Sequence, residues 1–243
     1  MYLIMFYVIK SDYTQNYKKP YKEPIILIYQ FFIHSNEERY KEIKQCLKFN
    51  VENNNISKII LLNERIYTNQ ELGIKSDKIT QLDIKKRIVF SDIFDLVDRM
   101  NLKGYIITCN ADIFFDNTLL NIYLSGIHNQ KVVYAQLRFE YTDKDLSKCK
   151  LFEAFGIPRR DSQDTWIFHS NFNVKKKNRD KFNINYGKMG CDNKIAFFFN
   201  VLGYNIKNNP LLIRTYHNHF TQIRDYNKND TLPTPYLFIE PYL

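Results

Sequence analysis

Four short apolar runs constrain this chain more than any other feature of it. They are Ile25 to Phe32, Ile56 to Leu62, Ile79 to Ile84 and Tyr105 to Phe115. Each is rich in β-branched residues and has the length of a buried strand. After the first run, Ser35-Asn36-Glu37-Glu38 is a helix-start signal. Tyr40, Ile43, Leu47 and Val51 then keep helical spacing, and Asn53-Asn54-Asn55 stops the helix. A looser stretch, 63–77, precedes the third run. Ser91 to Met100 is again helical, with Ile93, Phe94, Val97 and Met100 on one face. Strands alternating with helices at these distances predict an α/β fold with a mainly parallel central sheet flanked by helices. Leu119 to Leu124 and Asn193 to Leu202 read as further helices, and Val132 to Phe139 and Leu211 to His219 as further strands. Residues 140–189 are the least regular.

The fourth run ends in Asn110-Ala111-Asp112, followed by Ile113-Phe114-Phe115 and a third acid or amide type, Asp116. Asn110 and Asp112 are two apart, so on an extended chain they point the same way. A carboxylate at the carboxyl end of a buried strand lies where an open α/β sheet places its ligands. A hard oxygen there suits Mg²⁺ or Mn²⁺ carrying a diphosphate. Asp116 reads as a helix N-cap.

This segment resembles the DxD signature of GT-A-fold nucleotide-sugar-dependent glycosyltransferases, with Asn110 at the first acid. Two further blocks carry the resemblance. Residues 190–210, Gly-Cys-Asp-Asn-Lys through Gly203-Tyr204 to Pro210, look like the family's block of acid, helix, Gly-Tyr, strand and Pro. Arg214-Thr215-Tyr216-His217-Asn218-His219 sits where such enzymes often supply a late histidine to the metal. Asp161 through Phe168 is similar to a block of glycosyltransferases of bacteria and large DNA viruses. The resemblance covers roughly residues 25–226. It implies a single GT-A-like domain over 1–243: an N-terminal extension (1–24), a nucleotide-binding half (25–118), a donor-sugar and acceptor half (119–226) and a tail (227–243). It also implies hexosyl or deoxyhexosyl transfer from a UDP-linked donor to a hydroxyl of a glycan or glycoprotein.

Within that reading Asp112 would hold Mn²⁺ or Mg²⁺, joined by His217 or His219, which share a face on an extended strand. Binding should weaken below about pH 6.5, where a free imidazole protonates. Asn110 and Arg87 would contact the nucleotide. Asp192, at a helix start that favours an ionised carboxylate, would take the acceptor's proton as general base, with Asp164 its rival. Gln163, Arg138 and Arg224 would contact sugar or phosphate, Arg through bidentate pairing, and Trp166 would either stack on a sugar face or fill the core.

Composition narrows the alternatives. The net charge of +9 allows a nucleic-acid partner. The basic residues are dispersed, however, and no nucleic-acid-binding motif is present, so none is expected. The densest cluster, Lys175-Lys176-Lys177, reads as a solvated loop. A sugar-nucleotide nucleotidyltransferase would also use a metal-binding acid after a strand. It normally opens with a glycine-rich loop, whereas here Tyr29-Gln30-Phe31-Phe32 follows Ile28. A non-catalytic sugar-binding relative is the third reading, because Asn110 removes an acid. The cysteines Cys46, Cys109, Cys149 and Cys191 form no CxxC pair, which excludes a zinc ribbon and fits a reduced cytoplasm, that of a host if the chain is viral. Met1 to Ile9 is too short to span a bilayer and reads as an extra strand or flap.

Overall fold

The computed structural model describes residues 22–223 and 230–243. Its elements in order are β1 (Ile25–Tyr29), α1 (Glu37–Glu52), β2 (Lys58–Asn63), α2 (Asn69–Leu72), β3 (Ile79–Asp83), α3 (Phe90–Arg99), β4 (Tyr105–Cys109), β5 (Ile113–Phe115), β6 (Val132–Gln136), β7 (Phe139–Glu140), β8 (Lys150–Leu151), β9 (Glu153–Ala154), β10 (Ile157–Pro158), β11 (Thr165–His169), α4 (Cys191–Val201), β12 (Asn205–Lys207) and β13 (Thr215–His217). The expected α/β architecture is present. A seven-stranded sheet runs in the order β12-β6-β11-β4-β1-β2-β3, and only β11 lies antiparallel to its neighbours β4 and β6.

The apolar runs are continuous because both faces of this sheet are covered. Ile26, Ile28, Ile60, Leu62 and Ile106 face one layer, packed with Ile93, Phe94 and Val97 of α3 and Ile195 and Phe199 of α4. Ile25, Leu27, Tyr29, Ile59, Leu61 and Ile107 face the other, against Ile43 and Leu47 of α1 and Leu119 and Ile122. At about 25 cal/mol per Å² of apolar surface removed from water, these two layers supply the main drive to fold. The start signal of α1 acts as read: Asn36 caps it by accepting from the Arg39 amide. Asp116 caps the 3₁₀ turns of Asn117–Leu124 in the same way, accepting from Thr118. Cys46 and Cys109 are buried core residues, and all four cysteines are free.

The run read as one strand from Tyr105 to Phe115 is two. After β4 the chain turns at Ala111-Asp112, and β5 leaves the main sheet. It joins a four-stranded sheet, β5-β13-β7-β8. That sheet closes over α1 through Phe114, Phe139, Tyr141 and Tyr216. Strand Leu211 to His219 shortens to β13, and 140–189 contains an unforeseen central strand, β11. The N-terminal strand or flap expected at Met1 to Ile9 lies outside the described residues, as does Arg224.

Candidate functional site

β1 leads to β2 on one side of the sheet, while the chain returns from β3 to place β4 on the other side. The carboxyl ends of β1 and β4 therefore border the switch point where an open α/β sheet holds its ligand. Asn110 and Asp112 follow β4 there. The chain bends between them, so they do not share one extended face, and each side chain finds its own partners. Asp112 is buried, and its Oδ2 accepts from Arg39 Nη2 and lies 3.0 Å from His217 Nε2. Asn110 Nδ2 donates to Asp164 Oδ1 at 2.7 Å.

One hydrogen-bonded chain links these groups. His217 Nδ1 lies 3.0 Å from Glu140 Oε2, and Arg138 Nε donates to Glu140 Oε1 at 2.8 Å. Arg138 Nη1 reaches Asp164 Oδ2 and, at 2.8 Å, Ser162 Oγ. Arg39 is held from its other side by Glu42, at 2.8 Å. Buried charges of this kind persist only when paired.

Asp112, within this hydrogen-bonded chain, and Asp192, outside it but under the charge of Asp164, differ in electrostatics. At Asp112, burial favours the neutral acid, but the charges and hydrogen bonds of His217 and Arg39 outweigh it and hold the carboxyl far below its usual range. His217 is pushed down by burial, yet the carboxylates of Asp112 and Glu140 raise it to about 9. With no ion bound, His217 therefore stays protonated above the 6.5 of a free imidazole. His219 moves the opposite way: burial, then the charges of Arg39 and His217, lower it. At Asp192, burial and then the negative charge of Asp164 raise the carboxyl to about 8. Sequence reasoning placed Asp192 at a helix start and expected it ionised. It does lie in the first turn of α4, behind Gly190. Gly190 holds φ +80°, and a Cβ there would meet Tyr236 Oη at 2.6 Å. Desolvation and a like charge nevertheless outweigh the helix dipole.

Asp112, His217 and His219 offer ligand atoms that all lie within 4.8 Å of one another. Asp112 Oδ1 is buried without a hydrogen-bond partner among the described residues. His219 Nε2 lies 2.8 Å from the Ile223 carbonyl, so its N–H donates there and Nδ1 keeps the lone pair. Two imidazoles and a carboxylate are donors suited to Mn²⁺. The surrounding charge fits as well. Arg39 and Arg138 face four carboxylates, Asp112, Glu42, Glu140 and Asp164, and a divalent cation offsets the excess once His217 is neutral. A cavity of about 310 Å³ opens beside the histidines, lined by Glu140, Tyr141, Phe152, His217, His219, Phe220 and Gln222 among others.

Several expected contacts are corrected. Trp166 is 1 % exposed and packs between Phe90 and Phe199, so it is core and cannot stack on a sugar. Gln163 is wholly enclosed, its amide donating to the Arg160 carbonyl. Arg138 is buried, with Nε engaged by Glu140 and Nη1 by Ser162 and Asp164, so its place is among acids inside the cluster. Arg87 is exposed, donates to the Tyr186 carbonyl and stays outside the cluster. Arg39 and Glu140 were missed. The signal for Arg39 was a charge on the apolar face of α1, one turn before Ile43. The signal for Glu140 was its spacing of two from Arg138 on a strand.

No family model matches the chain, and no curated protein matches it. Solved structures to which the chain is similar include a candidate nucleotide-diphospho-sugar transferase from Desulfovibrio desulfuricans, with 9 % identity, 86 % of this chain and 83 % of that chain covered and a TM-score of 0.49. A 4-diphosphocytidyl-2C-methyl-D-erythritol synthase from Anaerococcus prevotii shares 12 % identity over 86 % of this chain and 94 % of that one, with a TM-score of 0.45. A candidate glucose-1-phosphate thymidylyltransferase from Bacillus anthracis shares 10 % identity over 76 % and 86 %, with a TM-score of 0.42. At such identities the functional reading has to come from the site's own residues.

Proposed function

We propose that this chain is a nucleotide-sugar-dependent glycosyltransferase, moving a sugar from a nucleoside diphosphate, UDP by preference, to a hydroxyl of a glycan or glycoprotein. The observation that carries the reading is the buried, unpartnered Oδ1 of Asp112 at the switch point, within 4.8 Å of the histidine donors. Asp112, His217 and His219 would hold Mn²⁺ or Mg²⁺, and the ion would supply Lewis-acid neutralisation of the departing diphosphate. Arg39 keeps Asp112 ionised when no cation is present. Asn110 engages one oxygen of Asp164 and Arg138 the other, so both faces of that carboxylate are already occupied. Asp192 is better suited. A carboxylate whose proton affinity is raised to about 8 accepts a hydroxyl proton readily once it is ionised.

Nucleotidyl transfer is the second reading, because an acid and a cation at a strand end serve both reactions. Against it, the segment after β1 has no glycine-rich loop, and Phe31 there is buried. One experiment separates them. The protein with Mn²⁺ is offered a panel of nucleotide sugars with glycan acceptors, and in parallel nucleoside triphosphates with sugar phosphates. Release of nucleoside diphosphate from the first set is expected. Release of pyrophosphate from the second, with no turnover in the first, would replace this reading with nucleotidyl transfer.

A further inference from the structure

Glu140 stands between the two ends of the site, and no sequence motif points to it. Its place is set by backbone register. β7 runs parallel to β13, and Glu140 is the ladder partner of His217. Arg138 precedes it by two residues in the same extended segment, so the two side chains point to one side. Both oxygens of the carboxylate are engaged, Oε2 by His217 Nδ1 at 3.0 Å and Oε1 by Arg138 Nε at 2.8 Å. Arg138 in turn carries Asp164.

We infer that Glu140 is a positioning residue that orients His217 toward Asp112 and Arg138 toward Asp164 at the same time. The inference rests on the reading that Asp112 and His217 hold a divalent cation. A carboxylate that accepts from Nδ1–H leaves Nε2 as the ligating nitrogen, fixes the ring plane and raises the ring's basicity. The same carboxylate holds the guanidinium plane, so that Nη1 meets Asp164 and Ser162 together. One side chain therefore sets cation affinity at one end and the geometry of the acid pair at the other. Glu140 is about a quarter exposed at the wall of the cavity, so a substitution meets little packing resistance.

The informative variant is Glu140→Gln. An amide keeps one acceptor and turns the other into a donor, which then faces a donor on either His217 or Arg138. Mn²⁺ alone is titrated into wild type, Glu140→Gln and Glu140→Asp and followed by electron paramagnetic resonance, with thermal unfolding recorded for each. The expected result is a ten- to a hundredfold weaker Mn²⁺ affinity in Glu140→Gln, the range for losing a ligand's supporting hydrogen bond. Recovery should be partial in Glu140→Asp, at an unfolding temperature close to wild type. In metal-free protein, NMR of the His217 ring and the Arg138 Nε–H should show at least one of them losing its protection from exchange in Glu140→Gln. Equal Mn²⁺ affinity in wild type and Glu140→Gln overturns the inference. If wild type itself binds no Mn²⁺, the cation reading fails instead. The exchange measurement then decides for Glu140: unchanged protection of both groups overturns it and lost protection upholds it.

Discussion

Asp112 and Asp192 are the same side chain in one cluster, and their surroundings drive them to opposite states. Asp112 lies between a guanidinium and an imidazole and stays ionised at every ordinary pH. Asp192 lies beside another carboxylate and holds its proton up to about pH 8. Burial acts in the same direction on both, so the sign of the neighbouring charge decides. An acid that is always an anion suits a cation or the groups that bind one. An acid poised near neutrality suits proton transfer. Residue type alone could not have separated the two.

The contrast can be broken most sharply at Asp192. Asp192→Asn should cut transfer by about a hundredfold or more, the scale for losing a general base, and leave donor binding near wild type. Asp164→Asn should instead weaken acceptor binding. The reverse pattern in a comparison of kcat and donor affinity would exchange the two roles.

Next in size are the histidines. Alanine at His217 or His219 should weaken Mn²⁺-dependent UDP binding by roughly ten- to a hundredfold, read by calorimetry. If neither substitution changes it, the cation does not sit between them and Asp112.

The pH dependence sharpens the other end. Turnover should rise with pH through about 8 as Asp192 ionises, and Asp164→Asn should move that limb to lower pH by removing the like charge. Stability follows with the opposite sign. The folded-state value lies above that of the unfolded carboxyl, so the stabilisation from this group is complete below about pH 4 and is lost as pH rises through about 8. Asp192→Asn should thus be more stable than wild type at pH 9 and no more stable at pH 4. Denaturant titrations at the two pH values check this, and an equal difference at both would mean the Asp192 carboxyl is not desolvated.

The smallest effect is expected at Trp166. Its ring fills the core between Phe90 and Phe199. Trp166→Phe should lower the unfolding temperature while leaving UDP affinity within about twofold, since it forms no part of the site. A large loss of affinity at unchanged stability would return Trp166 to the sugar.

The parts of this structure that were legible in sequence are those governed by short-range pattern. β1, β2 and β4 announce themselves because a strand buried on both faces is apolar throughout. α1 is marked by its cap and its spacing. Asp112, His217 and His219 stood out as unusual donors at strand ends. What stayed hidden depends on long-range register. Nothing near Glu140 says that β7 will lie beside β13, and nothing near Arg39 says that α1 will carry it to Asp112, 73 residues away. The break at Ala111 escaped notice because Ile113-Phe114-Phe115 is as strand-like as the run before it, and only its pairing with β13 removes it from the main sheet. Trp166 looked equally suited to core and sugar because an aromatic ring serves either, and only the packing of α4 across β11 decides.

The central claim is that Asp112 organises a cation for a nucleoside diphosphate, and calorimetric titration of UDP tests it most directly. The titration is run on wild type and Asp112→Asn, each with Mn²⁺ and with EDTA. The account predicts that Mn²⁺ tightens UDP binding to wild type by about tenfold or more, and that this gain disappears in Asp112→Asn while the EDTA value barely moves. Equal affinity for UDP with Mn²⁺ and with EDTA in the wild-type protein would contradict it.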